Sequence, residues 1–390
     1  MKPAVLVMGA GTFQVGLIRF LKKYSYEVHV ITNDLSNVGL LLADTIHQFS
    51  YLDLDKTLEI AEETNAIQIL SVASESGLSV QAKVQKLKGW IGLDPEYINF
   101  FANKFKYKKL LAKYLVETPE VALLSSGNQL NQFIERYKDG VILKPARGSG
   151  SRDVRLLRTG NHFDIEGVLT NSSSEYLIEE YIDGTEYGGD FIVCNGKLLF
   201  YYPTVKSKNE SWVPTGHVVL KNVSNYEVLR SFITKVTEKV PMQDGIYNVD
   251  IIVRDRKPYL IDLSPRIGGN CIPDLIYYSW QVDEWNFLLN MLLNKKSNVL
   301  TPKWQKPHGV YITGASFGGK LKRYLDHKFE NQHALVEVFW SKKEGEEVLP
   351  FDQGANHIGY IIYSAENDDE ILLLQKNIES FQWFELTPVN

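Results

Sequence analysis

The chain reads V-I-L-K-P-A-R-G-S-G-S-R from Val141 to Arg152. The first five of these residues form an apolar strand that carries one lysine, Lys144, near its end. A glycine–serine loop follows the strand and is formed by Gly148, Ser149, Gly150 and Ser151. Backbone N–H groups of such a loop can surround a polyphosphate, while the lysine neutralises its oxygens. The alternative is a hairpin loop beside an edge lysine, and this stretch alone does not decide between the two.

A second strand carries acidic residues where an apolar pattern would otherwise continue. The chain reads L-I-E-E-Y-I-D-G-T-E from Leu177 to Glu186. Carboxylates in an apolar strand are unfavourable to bury unless they are paired or bound to a ligand. The segment is therefore a candidate for ligand binding. The alternative is a strand with one solvated face, followed by an acidic turn.

A predicted hairpin, with strands at 246–253 and 258–263, carries two aspartates. If these strands pair, Asp250 and Asp262 can lie on one face of the hairpin. Two oxygen ligands beside a phosphate-binding loop suit Mg²⁺. Arg266 follows within D-L-S-P-R and can hold a phosphate or a carboxylate through two hydrogen bonds. The alternative is a solvated hairpin face.

The hydrophobic pattern divides the chain into three predicted domains. Residues 1–98 alternate apolar strands (4–8, 28–31 and 67–73) with helices, which predicts a Rossmann-like α/β domain with a right-handed parallel sheet. Residues 99–302 begin with a helix predicted over 99–115 and continue as closely spaced strands, typical of an antiparallel α+β region. A linker at 303–307 leads into a smaller αβ appendage, so the third domain spans 303–390.

The first strand ends in a glycine-containing loop that raises an alternative function. Gly9, Gly11 and Gly16 could place backbone donors around an anion, and Asp34 could hold a ribose. Position 14 is glutamine, however, where a dinucleotide-binding loop has glycine. A tight turn in a Rossmann-like domain with another role is the stronger interpretation. An NAD(P)-dependent oxidoreductase remains the alternative, although it leaves residues 140–270 unexplained.

The order of these signals resembles the ATP-grasp superfamily of ligases, and most closely its carbamoyl-phosphate-synthase-like and amino-acid-ligase branch. The motifs K-P-x-x-G-S-G-S-R at 144–152 and P-R-x-G-G at 265–269 are typical of that branch. The resemblance covers nearly the whole chain. It implies a Rossmann-like domain followed by a two-lobed ATP-grasp fold and a small C-terminal αβ lid.

The resemblance also implies a role for each matching residue. ATP would be bound by Lys104, Lys144, Gly148, Ser149, Gly150, Ser151, Glu179, Glu180, Tyr181, Ile182 and Glu186. Mg²⁺, with Mn²⁺ as an alternative, would be held by Asp250, Asp262 and Ser264. Catalysis would involve Arg266, with Lys206 and His217 as weaker candidates in a loop-like stretch at 204–218. The substrate would contact Glu75 and Arg266.

The chain departs from the family pattern in three motifs. Asn103 stands where the family usually has aspartate before the lysine, and Asp153 stands where the glycine loop often ends in glycine. Asp262-x-Ser264 replaces the common Glu-x-Asn. Because a serine hydroxyl is a poorer Mg²⁺ ligand than an amide carbonyl, a second metal ion would be held more weakly or through water.

The implied activity is phosphorylation of a substrate carboxylate by ATP, followed by coupling of the acyl phosphate to an amine or a thiol, with release of ADP and phosphate. A non-catalytic nucleotide-binding protein is a further alternative. The net charge of −5 argues against a dedicated nucleic-acid binder, and no apolar run reaches about 18 residues, so no membrane span is expected. Two cysteines give no disulfide framework. We expect a cytoplasmic enzyme that acts on small molecules, with assembly as a homodimer left open.

Overall fold

The structure is a computed structural model that describes residues 2–148, 150, 152–160, 175–295 and 300–388. These residues form four β-sheets, one of them parallel and three antiparallel. Ser149 and Ser151, both predicted to bind ATP, lie outside the described residues. No helix in the described part of the chain combines the length and the apolar character needed to cross a bilayer.

The first sheet is parallel, which confirms the predicted Rossmann-like arrangement. Its strands follow the order β3-β2-β1-β4 and are β1 (Ala4–Met8), β2 (Glu27–Thr32), β3 (Thr45–Gln48) and β4 (Gln68–Leu70). Its helices are α1 (Val15–Lys23), α2 (Leu54–Glu63) and α3 (Leu78–Leu87). All five residues of β1 are buried, as expected for a central strand of a parallel sheet. Strand β4 is shorter than predicted, and Ala73 beyond it adopts a left-handed conformation (φ 54°).

The helix predicted over 99–115 is two helices, α4 (Pro95–Phe101) and α5 (Lys104–Lys113). Asn103 separates them, because its side chain accepts a hydrogen bond from the backbone N–H of Lys106 at 3.1 Å and so caps α5. Asparagine and aspartate cap helices about equally well. The departure at Asn103 therefore preserves the start of α5, which carries Lys104.

A small antiparallel sheet forms the first lobe of the ATP-grasp region. Its strands follow the order β5-β8-β6-β7. They are β5 (Val121–Leu123), β6 (Val141–Pro145), β7 (Arg155–Leu157) and β8 (Tyr176–Glu180), and helix α6 (Gly127–Arg136) packs on them. Strand β6 lies between β7 and β8, so Lys144 is on a central strand and not on an edge.

A nine-stranded antiparallel sheet forms the second lobe, in the order β14-β13-β9-β11-β12-β15-β19-β17 with β10 paired to β9. The strands before the predicted linker are β9 (Thr185–Cys194), β10 (Lys197–Tyr201), β11 (Thr204–Lys208), β12 (Pro214–Val219), β13 (Gly245–Arg254) and β14 (Lys257–Ser264). The helices of this region are α7 (Tyr226–Lys239), α8 (Ile272–Trp280) and α9 (Glu284–Leu292).

The predicted hairpin of β13 and β14 is confirmed, and β9 and β10 form a second hairpin. Asn195 and Gly196 join β9 to β10, and Asp255 and Arg256 join β13 to β14, all four with positive φ as a two-residue hairpin turn requires. The loop-like assignment of 204–218 is wrong, since β11 and β12 pair there as a hairpin. The lysines in this stretch suggested a solvated loop, but the strand places them opposite acidic residues.

The C-terminal residues continue the large sheet. Strands β15 (His308–Thr313), β17 (Leu335–Trp340) and β19 (Gly359–Ser364) extend it beyond β12, and helix α10 (Asp368–Ser380) packs against β15. A separate three-stranded sheet consists of β16 (Gly319–Tyr324), β18 (Glu347–Val348) and β20 (Phe384–Thr387). The division at residue 303 remains a prediction, because the sheet itself crosses it.

Candidate active site

A cavity of about 470 Å³ lies between the two antiparallel lobes. Strands β6 and β8 form one wall, and β9, β11, β13 and β14 form the other. Most of the residues predicted to contact ATP or metal line it: Lys104, Lys144, Gly148, Gly150, Glu179, Glu180, Tyr181, Ile182, Glu186, Lys206, Asp250 and Asp262. The structure thus brings together residues that are far apart in the sequence.

Lys144 is held by a buried carboxylate. Its Nζ lies 2.8 Å from Oε2 of Glu179, and the Nζ of Lys108 lies 2.7 Å from Oε1 of the same residue. Burial would raise the pKa of Glu179, but the charges of Lys108 and Lys144 outweigh it and lower the pKa. Burial also lowers the pKa of Lys108 to about 8, against the opposing charge of Glu179. Two ammonium groups and one carboxylate leave a net positive charge at this wall, which suits a triphosphate.

A second ion cluster lies on the opposite wall. The Nζ of Lys206 is 2.9 Å from Oε1 of Glu186 and 2.8 Å from Oδ2 of Asp250. The Nζ of Lys208 is 2.6 Å from Oε2 of Glu186 and lies over the ring of Trp212. Burial would raise the pKa of Glu186, but both lysines lower it to about 2. Lys206 therefore lies at the centre of the site, where it compensates carboxylates on two strands.

Asp250 and Asp262, predicted to lie on one face of the hairpin, are direct partners in the β13–β14 register because a bulge between Asp250 and Ile251 shifts the pairing by one residue. Asp262 accepts a hydrogen bond from the Tyr107 hydroxyl at 2.6 Å, and the Nζ of Lys104 lies 3.7 Å from its other oxygen. Burial would raise the pKa of Asp262, but Lys104 and Lys144 hold it well below its usual value. Burial raises the pKa of Asp250, and Lys206 opposes this effect. Asp262 is thus the more firmly ionised of the two carboxylates.

The donor set fits a divalent cation that is shared with a phosphate ligand. Among the described residues, no group of three or more His, Cys, Asp or Glu side chains could hold a metal by itself. Asp250 and Asp262 supply two hard oxygens, and Mg²⁺ commonly takes one or two carboxylates with the remaining positions filled by phosphate and water. The Ser264 hydroxyl, directly opposite Asn248 in the register, is buried and has no hydrogen-bond partner in the described part of the chain.

Arg266 and Glu75 lie next to this carboxylate pair but outside the lining of the nucleotide cavity. Nη2 of Arg266 is 3.8 Å from Oε1 of Glu75, and Nη1 donates to the backbone carbonyl of Ile267 at 3.0 Å. Burial raises the pKa of Glu75, which also feels the charges of Lys104, Asp262 and Arg266. The predicted substrate residues therefore meet where the N-terminal domain contacts the end of β14.

His217 lies beside Lys206 but outside the lining of the cavity. It pairs with Lys206 in the β11–β12 register, is fully buried, and its Nδ1 is 2.8 Å from the Thr204 hydroxyl. Burial lowers its pKa to about 3, with a further contribution from the charge of Lys206. It is absent from the cavity lining, so a catalytic role for His217 stays a prediction that the geometry does not favour.

The glycine loop joins three parts of the molecule. The Nζ of Lys104 donates to the carbonyl of Gly148 at 2.6 Å, and the carbonyl of Gly150 accepts from the N–H of Gly354 at 3.3 Å. Asp153 adopts a positive φ of 57°. Aspartate tolerates this conformation better than most residues, which explains how it replaces the family's glycine.

The side chain of Gln14 fills the first glycine loop. Its Nε2 donates to the carbonyl of Val72 at 2.9 Å, and its Oε1 would lie 3.0 Å from a Cβ at Gly11. Asp34 accepts hydrogen bonds from the backbone and the hydroxyl of Ser36. Gln14 and Asp34, which stand where a dinucleotide would bind, are thus engaged in hydrogen bonds within the protein, and this disfavours the oxidoreductase alternative.

Two contributors from α5 were missed at the sequence level. Tyr107 and Lys108 follow Lys104 at i+3 and i+4, so all three share one helix face. All three are buried, and each reaches a different part of the site. The spacing is present in the sequence, but the apolar pattern predicts that the buried face of this helix is the one that carries Phe101, Phe105, Leu111 and Leu115.

Comparison with known proteins agrees with this site. Residues 101–270 match the family model of the ATP-grasp domain, so this part of the chain is an ATP-grasp domain, as its motifs predicted. The chain is 28% identical to an uncharacterised protein of Methanocaldococcus jannaschii over 353 residues, which is 85% of each chain.

Two solved structures share the fold over nearly the whole chain. An L-amino acid ligase from Bacillus licheniformis has a TM-score of 0.81 at 14% identity and covers 100% of this chain and 99% of its own. An N5-carboxyaminoimidazole synthetase from Staphylococcus aureus complexed with ADP has a TM-score of 0.78 at 14% identity, with 96% and 97% covered. At these identities the likeness shows the fold alone.

Proposed function

We propose that the chain is an ATP-dependent ligase that phosphorylates a small-molecule carboxylate and couples the acyl phosphate to an amine. The observation that carries the proposal is the pairing of Asp250 with Asp262 opposite Lys144 within one cavity. The similarity to an L-amino acid ligase and to an ADP-bound synthetase supports this chemistry. Neither the site nor these relatives support a thiol as the acceptor.

The chain's own residues supply most of what the reaction needs. Lys104 and Lys144 neutralise the terminal phosphates, and Arg266 orients the substrate carboxylate beside them. A carboxylate oxygen attacks the γ-phosphorus, the bond to the β-phosphate oxygen breaks, and ADP leaves. The amine then attacks the acyl carbon and phosphate departs. Mg²⁺, or Mn²⁺, held by Asp250 and Asp262, would neutralise charge that develops on the phosphate oxygens.

Water must be kept from the acyl phosphate, which it would otherwise hydrolyse. The contact between Gly150 and Gly354 indicates how the chain does this, because the glycine loop meets the C-terminal residues above the cavity. We infer that the C-terminal region closes over the site. Assembly as a homodimer and a cytoplasmic location stay predictions.

ADP release from Mg²⁺-ATP in the presence of small carboxylates, singly and with amines, tests the proposal. We expect ADP and phosphate to form only when a carboxylate is present, and Lys144→Ala to reduce turnover at least about 100-fold. That variant should fold, because Glu179 keeps Lys108 as its partner. Lys109→Ala, an exposed lysine of the same helix as Lys104, is the control. Formation of AMP and pyrophosphate would overturn the acyl-phosphate mechanism.

A further inference from the structure

A second cavity, of about 360 Å³, lies between the N-terminal domain and the large sheet. It opens at the carboxyl end of β4, and its walls come from α3, the start of β13 and helix α9. Its surface is mainly apolar and includes Leu78, Ile246, Ile267, Leu288, Met291 and Leu292. A volume of this size is within the range of small-molecule sites.

Asp244 and two amide side chains of this cavity are engaged with the backbone, with one exception among the charged groups, and the buried Ser71 hydroxyl has no hydrogen-bond partner among the described residues. Asp244 accepts hydrogen bonds from the N–H groups of Asn195 and Gly196, and Gln81 accepts one from the N–H of Ser71. Gln243 accepts from the N–H of Asp94. These hydrogen bonds stabilise the walls of the cavity.

Arg266 is the exception, and it stands between the two cavities. Its Nη1 is used by the carbonyl of Ile267, but its buried Nε has no acceptor among the residues that the structure describes. Nη2 is 3.8 Å from Glu75, too far for a hydrogen bond. The Nε–Nη2 edge can therefore take a carboxylate through two parallel hydrogen bonds, with Glu75 beside it as a partner for an ammonium group.

We propose that the second cavity holds the side chain of the carboxylate substrate, and that this substrate is an α-amino acid with an apolar side chain. Its carboxylate lies on Arg266, its ammonium group lies on Glu75, and its side chain lies against Ile267 and Leu288. This inference rests on the proposed ligase function. The position of Arg266 supports it, because this residue lines the second cavity and its Nη2 lies 3.8 Å from Oε1 of Glu75.

The pocket predicts a graded preference for side-chain length. Each methylene that enters an apolar site lowers the free energy enough for about a fourfold gain in kcat/KM. From alanine through 2-aminobutyrate and norvaline to norleucine, the gain should reach on the order of fifty-fold. Aspartate should be a poor substrate, because its second carboxylate would be buried against mainly apolar walls.

The test uses the full chain with Mg²⁺-ATP and hydroxylamine, which traps the acyl phosphate as a hydroxamate whatever the natural amine is. Leu288→Trp fills the pocket and should invert the series, so that alanine becomes better than norleucine. Leu288→Ala enlarges the pocket and should move the optimum to a longer chain, which keeps the test valid if the tryptophan variant folds poorly. Leu373→Trp, on the exposed face of α10, is the matched control and should leave the series unchanged.

The outcomes separate the two levels of the argument. Hydroxamate formation that is flat along the series, or a series that both Leu288 variants leave unaltered, would overturn the pocket and leave the ligase function intact. Absence of ADP and hydroxamate with every carboxylate would overturn the ligase function itself, and the pocket with it.

Discussion

Replacing Glu179 with glutamine should destabilise the fold far more than the same change at its neighbour Glu180. Glu179 is 2% exposed and is the shared counter-charge of Lys108 and Lys144, which are 0% and 7% exposed. Glu179→Gln keeps the shape but leaves two buried ammonium groups without an anion. Breaking a buried ion pair in this way costs about 3–5 kcal/mol of the free energy of unfolding.

The size of the loss should depend on pH. Lys108 has a folded-state pKa of about 8, below its usual value, so the folded protein binds fewer protons than the unfolded chain above that pH. Without Glu179 this pKa falls further, and Lys108 escapes the penalty by losing its proton. The deficit of Glu179→Gln should therefore shrink as the pH rises from 7 to 9.

Urea unfolding followed by tryptophan fluorescence measures both effects, since the chain has seven tryptophans. The control is Glu180→Gln, whose partner Arg254 lies 3.3 Å away at a partly exposed position. That pair should contribute less than about 1 kcal/mol. Equal losses in the two variants, or a deficit that grows with pH, would refute the account of a shared buried counter-charge.

Three further perturbations test other parts of the site. Asp262→Asn should fold but should raise the Mg²⁺ concentration for half-maximal rate more than about tenfold. Ser264→Asn should keep that concentration unchanged or lower it. An unchanged Mg²⁺ dependence in Asp262→Asn would exclude Asp262 as a metal ligand. The folded-state pKa of His217 is about 3, so below the usual histidine pKa the unfolded chain binds a proton that the folded protein does not. The free energy of unfolding should therefore fall by up to about 1.4 kcal/mol per pH unit between pH 6 and 4. Acid titration of His217→Gln should lose this slope while the exposed His333→Gln keeps it, and identical slopes would contradict the assignment. Gly268→Ala would place a Cβ 2.6 Å from Nδ2 of Asn248 and 2.8 Å from Oδ1 of Asp190, so turnover should drop at least tenfold as the loop that carries Arg266 shifts. Gly269→Ala, with its nearest atom at 3.4 Å, should have a smaller effect on kcat, and equal kcat values in the two variants would count against a role for the loop's position.

Local patterns predicted the parts of the site that a single strand or hairpin defines. Lys144 could be placed because its strand runs directly into the glycine loop. The hairpin that carries Asp250 and Asp262 could also be predicted, but its two-residue turn alone would pair Asp250 with Ile261, and a bulge between Asp250 and Ile251 shifts the partner to Asp262. The ion pairs between strands of the large sheet could not be predicted. Nothing near Lys206 in the sequence shows that its strand lies beside Glu186 and Asp250, and the stretch that contains it was predicted to be loop-like.

The roles of Tyr107 and Lys108 were hidden for a different reason. A buried lysine can be recognised only from its ion-pair partner, and the partner of Lys108 is Glu179 on β8, far from it in the sequence. Asn103 shows the converse case, because an asparagine directly before a run of helical residues is enough to indicate a helix cap. Which polar residue faces inward is decided by tertiary pairing, whereas where an element begins is decided locally.

The continuity of the large sheet across residue 303 has a consequence for how the chain is made. Strand β12 has β15 as its neighbour, and β15 in turn needs β19, which ends at Ser364. During synthesis the second lobe therefore emerges with one edge of β12 unpaired, and an open edge invites pairing with another chain. The sheet can close only when nearly all of the chain has been made. A fragment cut at the predicted domain boundary would retain the nucleotide site but also that open edge, and we expect it to aggregate where the full chain does not.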